Sequence, residues 1–317
     1  MAKSSGLGDN FYIGGYDLSG DVCSIDKISG PTSLLEATTI KQLAEARLAG
    51  LRSGAIQFTT LFENTGTTST PGFPASTTPV TNTNAWPVFV TVIAGTLTSV
   101  KVNGVQVGTT AGTYVVPSGS NISVTYTVAP TWAWAGVLTE HNALSILPRT
   151  DTIATWFRGT TLGSPAACVN GVQLNYDGTR DNTGALTMQV EVDSDKFGAE
   201  WGIQITPGLR ADTAATTGAF FDTGATGGTA FGAQAYLHLV ALVGTSVDVS
   251  ITHATTSGGA YTSLMDFGSQ AAIGSFRQSV SNVTTVNQFI KVVTTGTFTY
   301  AQFAVVLVRN PIAGVVF

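Results

Sequence analysis

The run Val88–Val107, VFVTVIAGTLTSVKVNGVQV, decides the fold class. Val88-Phe89-Val90-Thr91-Val92 and Leu97–Val102 are rich in β-branched residues, which fit a pleated, half-buried surface. Asn103-Gly104 then leads into Val105-Gln106-Val107. That dipeptide marks a two-residue hairpin turn, because both central residues need positive φ. Thr113–Val116 and Ile122–Val128 repeat the pattern, and Lys101 is the one charged residue of the block. About five short strands with regular turns predict a small β-module at 84–136, inserted into a host domain.

Outward from the module the chain keeps reading as β-structure. Phe11-Tyr12-Ile13 starts a strand broken at Gly14-Gly15, and Tyr16–Ile28 continues past a turn near Ser19-Gly20-Asp21. Thr38–Gly50 predicts a helix, capped by Thr38 or Thr39, with Ile40, Leu43, Ala44 and Leu48 on one face. Ala55–Phe62 is a strand. Asn64–Ala85 is a long Thr, Ser, Gly, Pro and Asn loop with Phe73 as its large apolar residue. Thr139–Leu147 predicts a second helix, stopped by Pro148. Strands follow at Thr152–Phe157, Cys168–Asn175 and Ala185–Asp193, with a turn near Asp177-Gly178 and Asn182. After a low-charge linker come strands at Ala233–Leu242, Ser246–His253, Phe276–Ser281, Gln288–Thr294 and Ala301–Val308. The predicted division is an arm at 1–10, a host β-domain at 11–83 and 137–208, the module at 84–136, a linker at 209–230 and a C-terminal β-sandwich or jelly roll at 231–317.

Composition agrees. Of 317 residues only 10% are charged and 43% are hydrophobic, which excludes a disordered chain. Net charge is −5 with a pI near 5.1, which argues against tightly held nucleic acid, because phosphate binding needs clustered Lys and Arg. It leaves room for a surface that DNA merely passes. Met1-Ala2-Lys3 leads into polar residues, so no signal peptide is expected, and the apolar runs Leu237–Val243 and Phe303–Val308 are strand-length, so no membrane insertion is expected. Cys23 and Cys168 make one disulfide or none; free, buried thiols are the favoured reading.

Reactive motifs are few. His141, His238 and His253 lack the spacing of a two-His metal site. His141 beside Glu140 reads as a packing residue, and His238 in an apolar strand as a core or interface residue. Glu191, Asp193 and Asp195 alternate along a strand end, and Asp17, Asp21 and Asp26 lie near a turn; both sets read as solvated or turn-capping carboxylates. No nucleophile elbow, phosphate-binding loop or dinucleotide fingerprint occurs in the sequence. Trp132 and Trp134, with Trp86, bracket the module and read as its junction packing. We expect no catalytic residue, no metal and no cofactor.

Tyr12–Val22, YIGGYDLSGDV, resembles the opening of tailed-bacteriophage tail tube (major tail) proteins: a strand, an Asp-Leu-Ser-Gly turn, a second strand. Ile40–Ala49 followed by Gly54–Phe62, and Glu140–Leu147 leading through Pro148-Arg149-Thr150-Asp151 to a strand, are similar to that family's helix-then-strand order. Gly159–Cys168 is similar to the loop before one of its later barrel strands. The likeness covers roughly 10–63 and 137–206, and 86–134 resembles immunoglobulin-like modules of phage virions. The resemblance implies a mainly β fold: a tail-tube-like barrel or sandwich with one or two short helices, carrying the inserted module and the C-terminal β-domain. It implies a non-enzymatic virion protein, made in the host bacterial cytoplasm. Copies of itself are the main partner, in stacked and typically hexameric rings. Other tail proteins adjoin, and double-stranded DNA passes through. On this reading Leu7, Phe11, Tyr16, Phe62 and Phe73 are expected at subunit contacts. The insertion and the C-terminal domain depart from a minimal tube protein. They leave open a capsid decoration protein, or a carbohydrate-binding module on the virion.

Overall fold

The computed structural model describes residues 8–36, 47–62, 69–84, 88–117, 119–136, 140–147, 149–182, 184–224 and 228–312. Six strands come first: β1 (Asn10–Ile13), β2 (Tyr16–Asp17), β3 (Val22–Ser29), β4 (Thr32–Glu36), β5 (Arg47–Arg52) and β6 (Ala55–Leu61). The module holds β7 (Val80–Thr81), β8 (Val88–Ile93), β9 (Thr96–Val102), β10 (Val105–Gly108), β11 (Gly112–Val116), β12 (Asn121–Val128) and β13 (Thr131–Gly136). Then follow α1 (Glu140–Leu144), β14 (Arg149–Phe157), β15 (Pro165–Gln173), β16 (Asp177–Arg180) and β17 (Leu186–Gln204). The last group is β18 (Arg210–Asp212), β19 (Thr216–Thr217), β20 (Phe221–Asp222), β21 (Ala233–Ala254), β22 (Thr262–Gln270), β23 (Gly274–Ser279) and β24 (Phe289–Arg309).

The fold is mainly β, in several sheets. A 15-stranded sheet runs β2-β1-β14-β15-β17-β24-β21-β22, with β3, β6, β16, β18, β19, β20 and β23 attached as branches. It curls on itself, and the alternation of side chains along each strand explains how. Phe11 and Ile13 of β1, Ala154 of β14 and Val169 of β15 face a core shared with Ile56, Phe58, Val190, Val192 and Leu144. On the opposite face Tyr12, Ile153, Phe157, Ala166 and Cys168 meet Tyr236, Val240, Ala304, Val306 and Val308. The alternate residues of β21 and β24, Leu237, Leu239, Phe303, Val305 and Leu307, face a third core with Phe267 and Met265. So segments of β1, β14, β15, β21 and β24 are covered on both faces, which matches the unbroken apolar runs Phe11–Ile13, Ala166–Val169 and Phe303–Val308. Each fully buried Leu, Val or Phe side chain there contributes about 1.5–3 kcal/mol relative to exposure.

β21 and β24 pair antiparallel from Ala233↔Arg309 to Ala254↔Phe289. The sequence reading divides each into two strands. The structure keeps each whole and bends the pair at bulges around Leu239/Ala241, Val243/Gly244 and Gly244/Ser246. Gly244 (φ 144) and Gly296 (φ 119) occupy backbone that favours glycine. A Cβ on Gly296 would lie 2.5 Å from the Ser246 carbonyl oxygen. These glycines mark a close approach of two strands and not turns.

The module packs a four-stranded sheet, β10-β9-β12-β7, on a three-stranded one, β11-β8-β13. Val88, Val90, Val92, Val100, Val102, Ile122, Val124, Trp132 and Trp134 fill the space between them. Ala241 and Tyr300 of the ribbon's bend complete this core, which seats the module on the large sheet. Two of its strands, β7 and β13, have no counterpart in the sequence reading.

Three expectations are corrected. Arg47–Gly50, expected to end the first helix, lies in β5, where Glu36↔Arg47 and Leu35↔Leu48 pair it with β4. A strand partner outweighs weak helix propensity; residues 38–46 lie outside the described residues. The stretch read as a linker lays β18, β19 and β20 on β24, because it has a free strand edge to satisfy. Cys23 and Cys168 are both free, but Cys23 is exposed and not buried.

Candidate functional site

Pairing runs β3-β6-β17-β15-β14-β1, and the two end strands of this path line one groove of about 760 Å³. Its wall on one side is Val22–Ile28 of β3, and on the other Gly8–Phe11 with Ser19 and Trp156. Among the described residues β3 pairs with β6 alone. Two bulges, between Val22 and Ser24 and between Ile25 and Lys27, each add a residue to β3. They put Val22, Ile25 and Ile28, three apart, on one half-buried face, and leave Cys23, Ser24, Asp26 and Lys27 exposed.

The other wall is already satisfied. Leu18 N donates to Phe11 O (2.9 Å) and Phe11 N to Ser19 Oγ (3.0 Å). Ser19 in turn donates from N and Oγ to Asp17. Burial raises the Asp17 pKa, and the Ser19 bonds oppose that. Asp9 is fixed by three donors: Trp156 Nε1 (3.1 Å), Arg158 Nη1 (2.8 Å) and Gly159 N (3.2 Å). Asn10 Nδ2 adds a bond to the Gly159 carbonyl (3.0 Å). The register places Phe11, Trp156, Ala167 and Trp201 in one row across β1, β14, β15 and β17. Trp156 and Trp201 meet edge to face at 6.1 Å, and Trp201 stays 55% exposed at the end of the row.

The residues expected at subunit contacts are scattered. Phe11 is 2% exposed and packs on Phe58, so its side chain is spent inside the chain. Tyr16 is half-buried under the Arg149 guanidinium. Phe62 stacks near His141 at 5.1 Å. Phe73 packs on Tyr126 and Trp132 within a strap, where Trp132 Nε1 donates to Pro71 O (2.8 Å) and Tyr126 O–H to Pro74 O (3.1 Å). Leu7 lies outside the described residues. Groove residues Asp9 and Trp156 are not singled out for it by the sequence; they stand 147 apart, with no motif to link them.

The buried titratable groups have internal partners. Glu200 accepts from Arg277 Nη2 (3.1 Å), Gln234 Nε2 (2.8 Å) and the Tyr236 hydroxyl. Arg277 also lies over the Phe197 ring, 3.6 Å from its centroid. Burial, then the Glu200 charge, pushes the Tyr236 hydroxyl up, and burial pushes the Cys168 thiol up. His238 Nε2 bonds Thr155 Oγ1 (2.8 Å), and burial lowers its pKa to about 3, so it is neutral. Glu140 accepts from Thr60 (2.6 Å) and Tyr176 (3.0 Å), and His141 Nδ1 also contacts the Tyr176 hydroxyl (3.2 Å). Glu191 is held by Gln57, and Lys196 bonds Asp151 (2.6 Å) beside Asp195. Among the described residues no group of three or more His, Cys, Asp or Glu side chains is placed to hold a metal ion.

No protein-family model and no curated protein matches the chain. Among solved structures, the SPP1 Dit protein is similar over 94% of this chain and 98% of its own, at 9% identity and a TM-score of 0.27. Its structure is described as a paradigm of the hub adsorption apparatus in phages that infect Gram-positive bacteria. A conserved protein of unknown function from Pseudomonas aeruginosa PAO1 is similar over 94% of each chain, at 8% identity and a TM-score of 0.15. Likenesses this distant carry no weight for fold or function.

Proposed function

We propose that the chain is a structural virion subunit of a tailed bacteriophage, assembling with its own copies into stacked rings that form the tail tube. The observation that carries this reading is the open seam between β1 and β3, where among the described residues one edge of β3 has no strand partner beside a groove. An unpaired edge is a template for another chain, and closing a ring is the usual way to satisfy it. The resemblance of Tyr12–Val22 to tail tube proteins supports the same reading. A net charge of −5 suits a conduit through which DNA moves without sticking.

Electron microscopy and light scattering of the purified full chain test it. Rings or tubes are the expected result. A chain that stays monomeric at all concentrations overturns it, and so does one that forms trimers binding only to capsids, which is the decoration outcome. Saturable binding of a cell-wall polysaccharide by a monomer overturns it in favour of a carbohydrate-binding role.

A further inference from the structure

The seam groove has the attributes of a strand acceptor. One wall is β3, eight residues long, which among the described residues pairs with β6 alone and whose first amide, Val22 N, donates to Leu18 O (3.0 Å). The half-buried residues beside it are apolar, Val22, Ile25, Ile28 and Trp156, and the rim is polar, Ser24, Asp26 and Lys27. A volume of about 760 Å³ suits a short extended segment better than a folded element. Main-chain pairing along such an edge gives affinity, and alternate side chains give specificity.

The chain itself supplies an occupant. It enters the described structure at Gly8, which lines the groove, and Asp9 is fixed by its three bonds to the end of β14. Met1-Ala2-Lys3-Ser4-Ser5-Gly6-Leu7 precede Gly8. Extended at about 3.3 Å per residue they reach roughly 23 Å, close to the length of β3. Their side chains are small except Lys3, which can meet Asp26, and Leu7 and Met1, which can meet the apolar floor. At Phe11 of β1 the amide and the carbonyl are already taken, by Ser19 Oγ and Leu18 N.

We propose that the groove of each subunit accepts residues 1–7 of a second copy as an added strand on β3. The proposal rests on the self-assembly reading and gives it a specific contact.

Cys23 makes the test direct. It is exposed on the groove wall, whereas Cys168 is wholly buried with a thiol pushed up by burial. Full-length chains carrying Leu7→Cys and Cys23→Ser are mixed with unaltered chains under assembling conditions, oxidised, and run on a non-reducing gel. Any disulfide joining the thiol introduced at position 7 to Cys23 is then necessarily between chains. Most of the mixed assemblies should give a covalent dimer that reduction removes. Thr255→Cys with Cys23→Ser, at an exposed site away from the groove, should give none. Rings seen by electron microscopy in the same samples, with no cross-link at position 7, overturn the strand exchange and leave the self-assembly reading standing. Cross-linking of a Leu7→Cys single variant only within one chain also overturns it. Absence of rings together with absence of cross-links overturns both.

Discussion

The inserted module and the junction between β14–β15 and β21–β24 are both well buried, yet they are held differently. The module core is Val, Ile, Tyr and Trp packed between two small sheets, with Lys101 as the one charge in the block. The junction also buries apolar side chains, but it adds Glu200, Arg277, Tyr236, Gln234, His238 and Thr155 in hydrogen-bonded contact. An apolar core of the right volume tolerates repacking. A buried charged pair adds little net stability, but it penalises every arrangement that separates it. The module is therefore built to be stable, and the junction to hold two stretches of one sheet in a single register.

The largest expected effect tests that contrast. Arg277→Met leaves Glu200 buried and uncompensated, with side-chain exposures of 8% and 9% for the pair. It should cost about 3–5 kcal/mol in urea unfolding. Adding Glu200→Gln should recover much of that loss. A cost of Arg277→Met under about 1 kcal/mol would remove the distinction between the two regions. In the module, Ile122→Ala should cost about 2–5 kcal/mol and Ile122→Val only about 0.5–1.5. The loss should appear first in the fluorescence of Trp132 and Trp134, while the junction's amide protection stays intact.

Gly244→Ala sits between the two regions. Its φ of 144 and the approach of Phe298 leave no space for a Cβ. A cost of about 1–3 kcal/mol is expected from backbone strain. It should also loosen the module, because Ala241, Val243 and Tyr300 pack against it. Unchanged module protection in hydrogen exchange would show that the bend and the seat are independent.

Two pH effects have opposite signs. His238 is neutral in the fold with a pKa lowered by burial to about 3, against an ordinary value of 6.5. The unfolded chain binds its proton first as pH falls, so the stability is full above 6.5 and is lost between 6.5 and about 3, by up to ~1.4 kcal/mol per pH unit. His238→Gln should flatten that slope. Asp248 is raised to about 6 by burial and by Asp266 beside it. Here the fold holds the proton longer, so stability falls as pH rises from 3.8 to about 6. Asp248→Asn should give a small gain at neutral pH; a loss there would mean that the carboxylate has a partner role.

Much of this was legible where structure is local. The module strands end at turn residues such as Asn103-Gly104, and α1 falls within Thr139–Leu147. The mainly β class followed from the Val, Thr and Gly content. β21 and β24 each read as two strands, with Gly244 and Gly296 in the gaps, because only the facing strand tells a kink from a break. The strand β22 escaped because Asp266 and Gly268 interrupt its apolar pattern on an edge. The groove was hidden for a different reason. Its walls come from β1, β3 and β14, and Asp9 meets Trp156 and Arg158 only after the sheet curls.

The position of β24 in the chain orders events during synthesis. The module and the hairpins before it are built from near neighbours and can close as they leave the ribosome. The inner faces of β1, β14 and β15 cannot, because Ala304, Val306 and Val308, which cover them, are made only after β16 to β23. Those strands wait with apolar surface uncovered. That interval is where chaperone dependence and premature association should concentrate.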